Sequence, residues 1–162
     1  MPSTLQNIEK RIFKDSLSFK RQLHRWRFLE KSIVFTNGCF DLLHPGHIHL
    51  LSEAADMGDI LLVGLNSDAS VGRLKGADRP RIKESLRALQ LASLFFVDGV
   101  ILFEEDTPEA LIREVKPDVL VKGGDYSPDQ IAGADFVKSY GGRVEIVPLL
   151  ENFSTSKLLT KI

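Results

Sequence analysis

The chain has 162 residues, enough for one domain with a genuine hydrophobic core, and its 43% hydrophobic and 27% charged content is that of a folded globular protein. Its 21 basic and 22 acidic side chains leave a formal charge of -1, which supplies no broad attraction to nucleic acid or to an anionic membrane. Cys39 is the single cysteine, so no intrachain disulfide can form, and neither a secretory signal nor an apolar run of the roughly 20 residues that span a bilayer is present; a cytoplasmic location is expected.

In chain order, residues 1–31 carry Ile8, Ile12, Phe13, Leu17, Phe19, Leu23, Trp26 and Leu29 between lysines and arginines. The approximately helical spacing predicts one or two amphipathic helices, a helical extension packed on the domain or used as a subunit contact. From residue 32 the pattern changes. The run 32–37 (SIVFTN) reads as a buried strand ending at Gly38, and 44–57 as a helix stopped by Gly58. Strands follow at 60–65, 99–103, 118–122 and 143–148, and helices at 84–96, 107–115 and 130–140. A last helix is predicted from Ser154. Strands separated by helices require crossover connections, right-handed in a parallel sheet, and apolar strands require helices on both faces. The expected fold is therefore α/β: a single three-layer Rossmann-like domain with a parallel sheet, over 32–162. Ligands in such a fold sit beyond the carboxyl ends of the strands.

The strongest signal lies at the first such end, Phe35-Thr36-Asn37-Gly38-Cys39-Phe40-Asp41-Leu42-Leu43-His44-Pro45-Gly46-His47. Gly38 permits a close turn. His44 and His47, three residues apart at a helix start, share one side, and Gly46 removes a side chain where a ligand would approach. The helix N-terminus favours phosphate oxygens, and imidazole donors aimed at developing charge are often worth about 10²–10³ in rate each. Two cap histidines, or half of a metal site, would use the same residues; no second His/Cys cluster completes a zinc set.

Asn66 and Asp68 flank Ser67 at the end of the second strand, suited to orient a sugar or an acceptor phosphate and equally suited to a turn and helix cap. Arg73, Lys75, Arg79 and Arg81, with Gly72, Gly76 and Pro80, read as a mobile basic loop able to close over a triphosphate, or as a solvated surface loop. At a third strand end, Gly123 and Gly124 allow backbone to approach a base or ribose and Asp125 can accept hydrogen bonds. Ser154 and Thr155 precede the last helix, with Ser154 placed to cap it.

Here the residues carry a resemblance. His44-Pro45-Gly46-His47 resembles the HxGH signature of the nucleotidylyltransferase superfamily, and GCFDLLH resembles the GxFDxxH form of its cytidylyltransferase-like branch. FSTS at 153–156 resembles the second signature, often ISTT, with Phe and Ser at two of its positions. The segments FTNGCFDLLHPGH, NSDASVGRLKGADRP, LASLFFVDGVILFEEDTPEALI, KPDVLVKGGDY and KSYGGRVEIVPL together resemble the D-glycero-D-manno-heptose 1-phosphate adenylyltransferase family, in which the domain is often fused behind a sugar kinase. A stand-alone version is expected here.

The resemblance implies transfer of AMP from ATP to a heptose 1-phosphate, giving an ADP-heptose for a surface glycan. It implies catalytic roles for His44, His47, Lys75 and Arg87, the last two supporting the leaving pyrophosphate. Thr36, Gly38, Cys39, Phe40, Gly46, Gly123, Gly124, Asp125, Ser154 and Thr155 would hold the nucleotide, and Asp41, Asn66, Asp68 and Arg79 the acceptor. Mg²⁺ would travel with ATP, retaining waters, with no permanently bound metal. The family leans towards a homodimer; neither nucleic acid nor membrane is an expected partner. A cytidylyltransferase acting on glycerol 3-phosphate or phosphoethanolamine would use the same machinery, and a noncatalytic module would bind a triphosphate without releasing pyrophosphate. A dinucleotide oxidoreductase is excluded, because no GxGxxG follows the first strand of the domain.

Overall fold

The computed structural model describes residues 1–124, 127 and 130–148. Six strands, all parallel, form one sheet in the order β1-β4-β3-β2-β5-β6. They are β1 (Ile12–Phe13), β2 (Ile33–Gly38), β3 (Ile60–Asn66), β4 (Gly99–Phe103), β5 (Val119–Gly123) and β6 (Arg143–Val147). The helices are α1 (Thr4–Glu9), α2 (Ser16–Phe28), α3 (Pro45–Ala55), α4 (Asp68–Lys75), α5 (Glu84–Ala92), α6 (Glu109–Val115) and α7 (Ala134–Ser139).

The period of two along each strand builds two apolar layers from one sheet. Ile33, Phe35, Leu62 and Leu120 face one core with Phe19 and Trp26 of α2, Ile112 of α6 and Val137 of α7. Val34, Leu61, Val63, Val100 and Val121 face the other with Leu51 of α3 and Leu91 of α5. This is the three-layer domain expected from the sequence. Chain order reverses beside β2: β3 pairs on one side of it, and β5 on the other. That switch point is where an open α/β sheet leaves a crevice for ligand.

Three local differences separate the structure from the sequence reading. Residues 1–31 form two helices as expected, but also contribute β1, which pairs with β4 through Ile12↔Val100 and Phe13↔Ile101. This segment is thus continuous with the sheet rather than only helical. Phe13 packs its ring 5.5 Å from Phe19 and edge-on 6.1 Å from Trp26, and all three aromatics are buried. A side chain at Gly99 would start 2.8 Å from Phe13, so glycine makes room for this cluster. Second, half of the expected basic loop is helix α4. Ser67 caps it by accepting from the Ser70 N–H, and Gly76, at φ 103°, ends it. Third, α7 begins only at Ala134, because Gly133 adopts a left-handed φ of 81° immediately before it. The helix expected from Ser154 lies outside the described residues.

Removing the Phe19 ring should open a cavity against Phe13 and destabilise the protein by about 3–5 kcal/mol in Phe19→Ala. Denaturant unfolding measures this. A loss below about 1 kcal/mol would mean that the segment before β2 is not part of the cooperative unit.

Candidate active site

β2 delivers the histidine segment to the switch point. Its last residue, Gly38, is covered by Phe40: a Cβ at Gly38 would lie 3.0 Å from that ring. Phe40 takes a positive φ of 44°, turning the chain sharply, and its buried ring stands 5.1 Å from His47 in an edge contact. His44 is the N-cap of α3 yet makes no side-chain cap bond, and Pro45 occupies the first helical turn. Both imidazoles are therefore left for other use. They stack at 3.7 Å with 21° between planes, and each Nδ1 is buried without a partner among the described residues. Unpaired buried nitrogens are rare in a folded chain, and the helix N-terminus that carries these rings favours acceptor oxygens.

Burial holds both rings neutral. It lowers the His44 pKa, and for His47 burial and then the neighbouring His44 push it down to about 4, against a smaller upward pull from the Leu42 carbonyl.

A cavity of about 650 Å³ opens over these residues. Gly38, Cys39, Phe40, Asp41, Gly46 and Asn66 line it with the histidines, and Lys75 and Gly123 enter from neighbouring elements. Gly123 packs tightly, since a Cβ there would meet the Leu50 side chain at 3.0 Å. Gly124 sits at φ 128° and donates to the Val147 carbonyl at 3.1 Å. Burial raises the Cys39 thiol pKa, so it stays protonated and acts as a wall. Thr36 is fully buried in β2 with an unpartnered hydroxyl, and it does not line the cavity. Asp125, Ser154 and Thr155 fall outside the described residues.

Several charged groups expected on the substrate are instead engaged with the protein. Arg87 is 0% exposed. Its Nη1 donates to the Cys39 and Asn66 carbonyls at 2.6 and 2.9 Å, its Nε to the Ile82 carbonyl at 2.9 Å, and its Nη2 to Asp68 at 2.8 Å. It does not line the cavity, so direct support of a leaving group gives way to a positioning role. Asp68 and Glu84 cap each other's helices: the Asp68 N–H donates to the Glu84 carboxylate at 2.7 Å and the Glu84 N–H to Asp68 at 2.8 Å. The turn-and-cap reading of Asn66-Ser67-Asp68 is realised, although Asn66 also reaches the cavity. Arg79 donates to Asp41 at 2.6 Å, and the Arg81 and Ile82 N–H groups donate to the same carboxylate at 2.6 and 3.2 Å. Burial alone would raise the Asp41 pKa, but these bonds hold it below the usual carboxylate range. Arg73 pairs with Asp106 at 2.8 Å. The segment after α4 is thus tethered to the histidine loop, where the sequence suggested free mobility.

Lys75, the last residue of α4, keeps its charge for the cavity: no hydrogen bond or ion pair engages it within the described residues. Sequence reasoning missed Lys122 and Asn37, which line the same cavity. The signal was present for Lys122, a cation closing the apolar run Val119-Leu120-Val121 at a strand's carboxyl end. Asp106, Gln130 and Ile131 come from loops with no motif to reveal them.

A parallel sheet that reverses order beside β2, with stacked histidines at the following helix start and lysines around one cleft, defines the nucleotidyltransferase class of α/β domain. The chain belongs to the cytidylyltransferase-like family, whose pattern it matches over residues 35–157. It is 58% identical over 132 residues to the bifunctional protein HldE of Geotalea uraniireducens, covering 82% of this chain and 27% of that protein. With HldE of Gluconobacter oxydans it shares 55% identity over 139 residues, covering 86% and 29%. The chain thus spans under a third of the length of these relatives. A crystal structure of a lipopolysaccharide core biosynthesis protein from Thermoplasma volcanium superimposes with a TM-score of 0.59 at 32% identity, covering 76% of this chain and 99% of that one.

The depressed histidine pKa has a consequence for stability. A group that binds protons more weakly when folded stabilises the protein above its unfolded value, and that contribution is lost as pH falls through the folded value. For His47 the window runs from 6.5 down to about 4, with up to on the order of 3 kcal/mol at stake. Denaturant unfolding at stepped pH should show the loss in the wild type and a flatter profile in His47→Gln. Equal slopes in the two proteins would refute the assignment.

Proposed function

We propose that this protein transfers AMP from ATP to a heptose 1-phosphate, forming ADP-heptose and pyrophosphate. The observation that carries the reading is the stacked His44–His47 pair, which lines the cavity at the switch point together with Lys75. The choice of substrate rests on the relatives: 54–58% identity to several bifunctional HldE proteins, and structural likeness to a lipopolysaccharide core biosynthesis protein.

The acceptor brings its own anionic phosphate, so no strong general base is needed. A phosphate oxygen attacks the α-phosphorus in line, the new P–O bond forms, and the bond to the bridging oxygen breaks, releasing pyrophosphate with that electron pair. The protein's task is positioning and charge neutralisation. His44 and His47 donate to the phosphoryl oxygens at the start of α3, whose dipole adds to the attraction. Lys75 steadies the departing pyrophosphate. Arg87 acts through the Cys39 carbonyl, fixing the loop that carries the histidines. Gly123 and Gly124 leave room for the nucleoside, while Asp125, Ser154 and Thr155 keep the roles that the family resemblance implies. Asn66, and Asp41 with Arg79, stand on the acceptor side.

Among the described residues no group of three or more His, Cys, Asp or Glu side chains is placed to hold a metal ion. Mg²⁺ would enter as part of the ATP substrate. The substrates put the reaction in the cytoplasm, where ATP is made. No described helix is long and apolar enough to cross a membrane. The exposed Phe28 and Phe95 rings support self-association as a homodimer.

Pyrophosphate release, measured with Mg²⁺, should occur with ATP and one heptose 1-phosphate anomer. Release only with CTP and glycerol 3-phosphate would keep the mechanism and overturn the substrate, whereas no release with any pair would leave a binding module. His44→Ala should lower turnover by about 10²-fold or more with its thermal midpoint retained. Near-normal turnover in that folded variant would remove His44 from the mechanism.

A further inference from the structure

Among the described residues, Lys122 makes one side-chain hydrogen bond and no ion pair. It closes a strand whose other apolar members, Val119, Leu120 and Val121, are buried, and a half-buried ammonium is costly in that setting unless an anion meets it. None does among the described residues. Its Nζ donates to the Asn37 side-chain oxygen at 3.4 Å, a long bond to a neutral acceptor, and no carboxylate among the described residues pairs with it. An ammonium has three donors, so the greater part of its hydrogen-bonding capacity is unused.

Its location gives that capacity a use. Phe35 and Leu120 are paired across β2 and β5, and two residues further along these strands Asn37 and Lys122 meet at the switch point. Lys122 lines the cavity on the β5 side, and the histidines line it on the side of α3. Burial lowers its pKa, offset in part by Cys39, so its charge is poorly compensated until an anion arrives.

We propose that Lys122 is a substrate-binding residue whose ammonium takes a phosphate oxygen of the reacting pair, opposite His44 and His47. The assignment rests on the nucleotidyl transfer proposed above. A compact point charge suits the place, since even a Cβ at the adjoining Gly123 would press on Leu50 at 3.0 Å. In a cavity partly shielded from water such a contact is stronger than on a surface. The phosphate is either the nucleotide's or the acceptor's.

Lys122→Met keeps the length of the side chain and removes the charge. Three measurements on the wild type and this variant decide the matter: the thermal midpoint, calorimetric titration with ATP alone, and titration with heptose 1-phosphate at saturating α,β-methylene-ATP. The expected result is a midpoint unchanged or raised, with one ligand bound about 10-fold or more weakly. Weaker ATP binding assigns the nucleotide phosphate; weaker heptose 1-phosphate binding with ATP unaffected assigns the acceptor. Unchanged affinity for both ligands overturns the proposal, as does a lowered midpoint that accounts for the loss. Wild-type pyrophosphate release tests the reaction separately. A wild type that binds ATP without turnover, set beside a variant that binds it weakly, would sink the transfer reading and keep Lys122; normal turnover with equal affinities would do the reverse.

Discussion

One buried guanidinium organises the catalytic end of this domain. Arg87 belongs to α5, yet its donors reach the loop after β2, the end of β3, the segment before its own helix and the carboxylate of Asp68. The carbonyls at the ends of parallel strands have no further ladder partners, and burying them unpaired would cost about 1–3 kcal/mol each. A planar fork of five N–H donors answers several at once. Removing this fully buried guanidinium would also take from the partly exposed Asp68 its shortest ion pair, leaving it the Glu84 N–H and the more distant Lys83. The histidine loop, α4 and α5 are thereby referred to one point, and the geometry of the cavity follows.

The sequence reading succeeded where a local pattern has a single physical solution. Runs such as 60–65 are apolar throughout because both faces of the strand are covered, and their glycine or polar ends mark where the sheet stops. It fell short where tertiary contacts decide. Ile12–Phe13 is too short for any periodicity to register, and β4 alone makes it a strand. Helix α4 contains Gly72 and two basic residues in eight, a composition that reads as loop until the Ser67 cap is weighed. Arg79 and Arg87 were recognisable as cations near the site. Their partners Asp41 and the strand-end carbonyls lie 38 or more residues away in the first case and up to 48 in the second, so their pairing was invisible.

The site's charge is arranged in an economical way. Burial favours the neutral form of the two imidazoles at its centre, pushing the His47 pKa down to about 4, and Arg79 and Arg87 are bound to carboxylates or carbonyls. Among the described residues, Lys75 at the end of α4 and Lys122 near the end of β5 line the cavity with no carboxylate partner. A cleft lined in this manner does not repel itself when empty. Its positive charge is modest, carried by an exposed Lys75 and a half-buried Lys122, which favours a multiply charged phosphate over a monovalent anion.

The shape of the sheet's two edges bears on how the protein behaves in a crowded solution. A parallel sheet exposes a row of unpaired backbone groups on its outer strands, and such rows can recruit strands from other chains. Here one outer strand is the two-residue β1, too short to template a neighbour. The other, β6, carries Arg143 and Glu145 on alternate positions, bridged at 3.7 Å, and charged side chains along an edge oppose the flat apolar contact that amyloid-like growth needs. The same strand order that opens a crevice for phosphates therefore ends on both sides in a poor seed for aggregation.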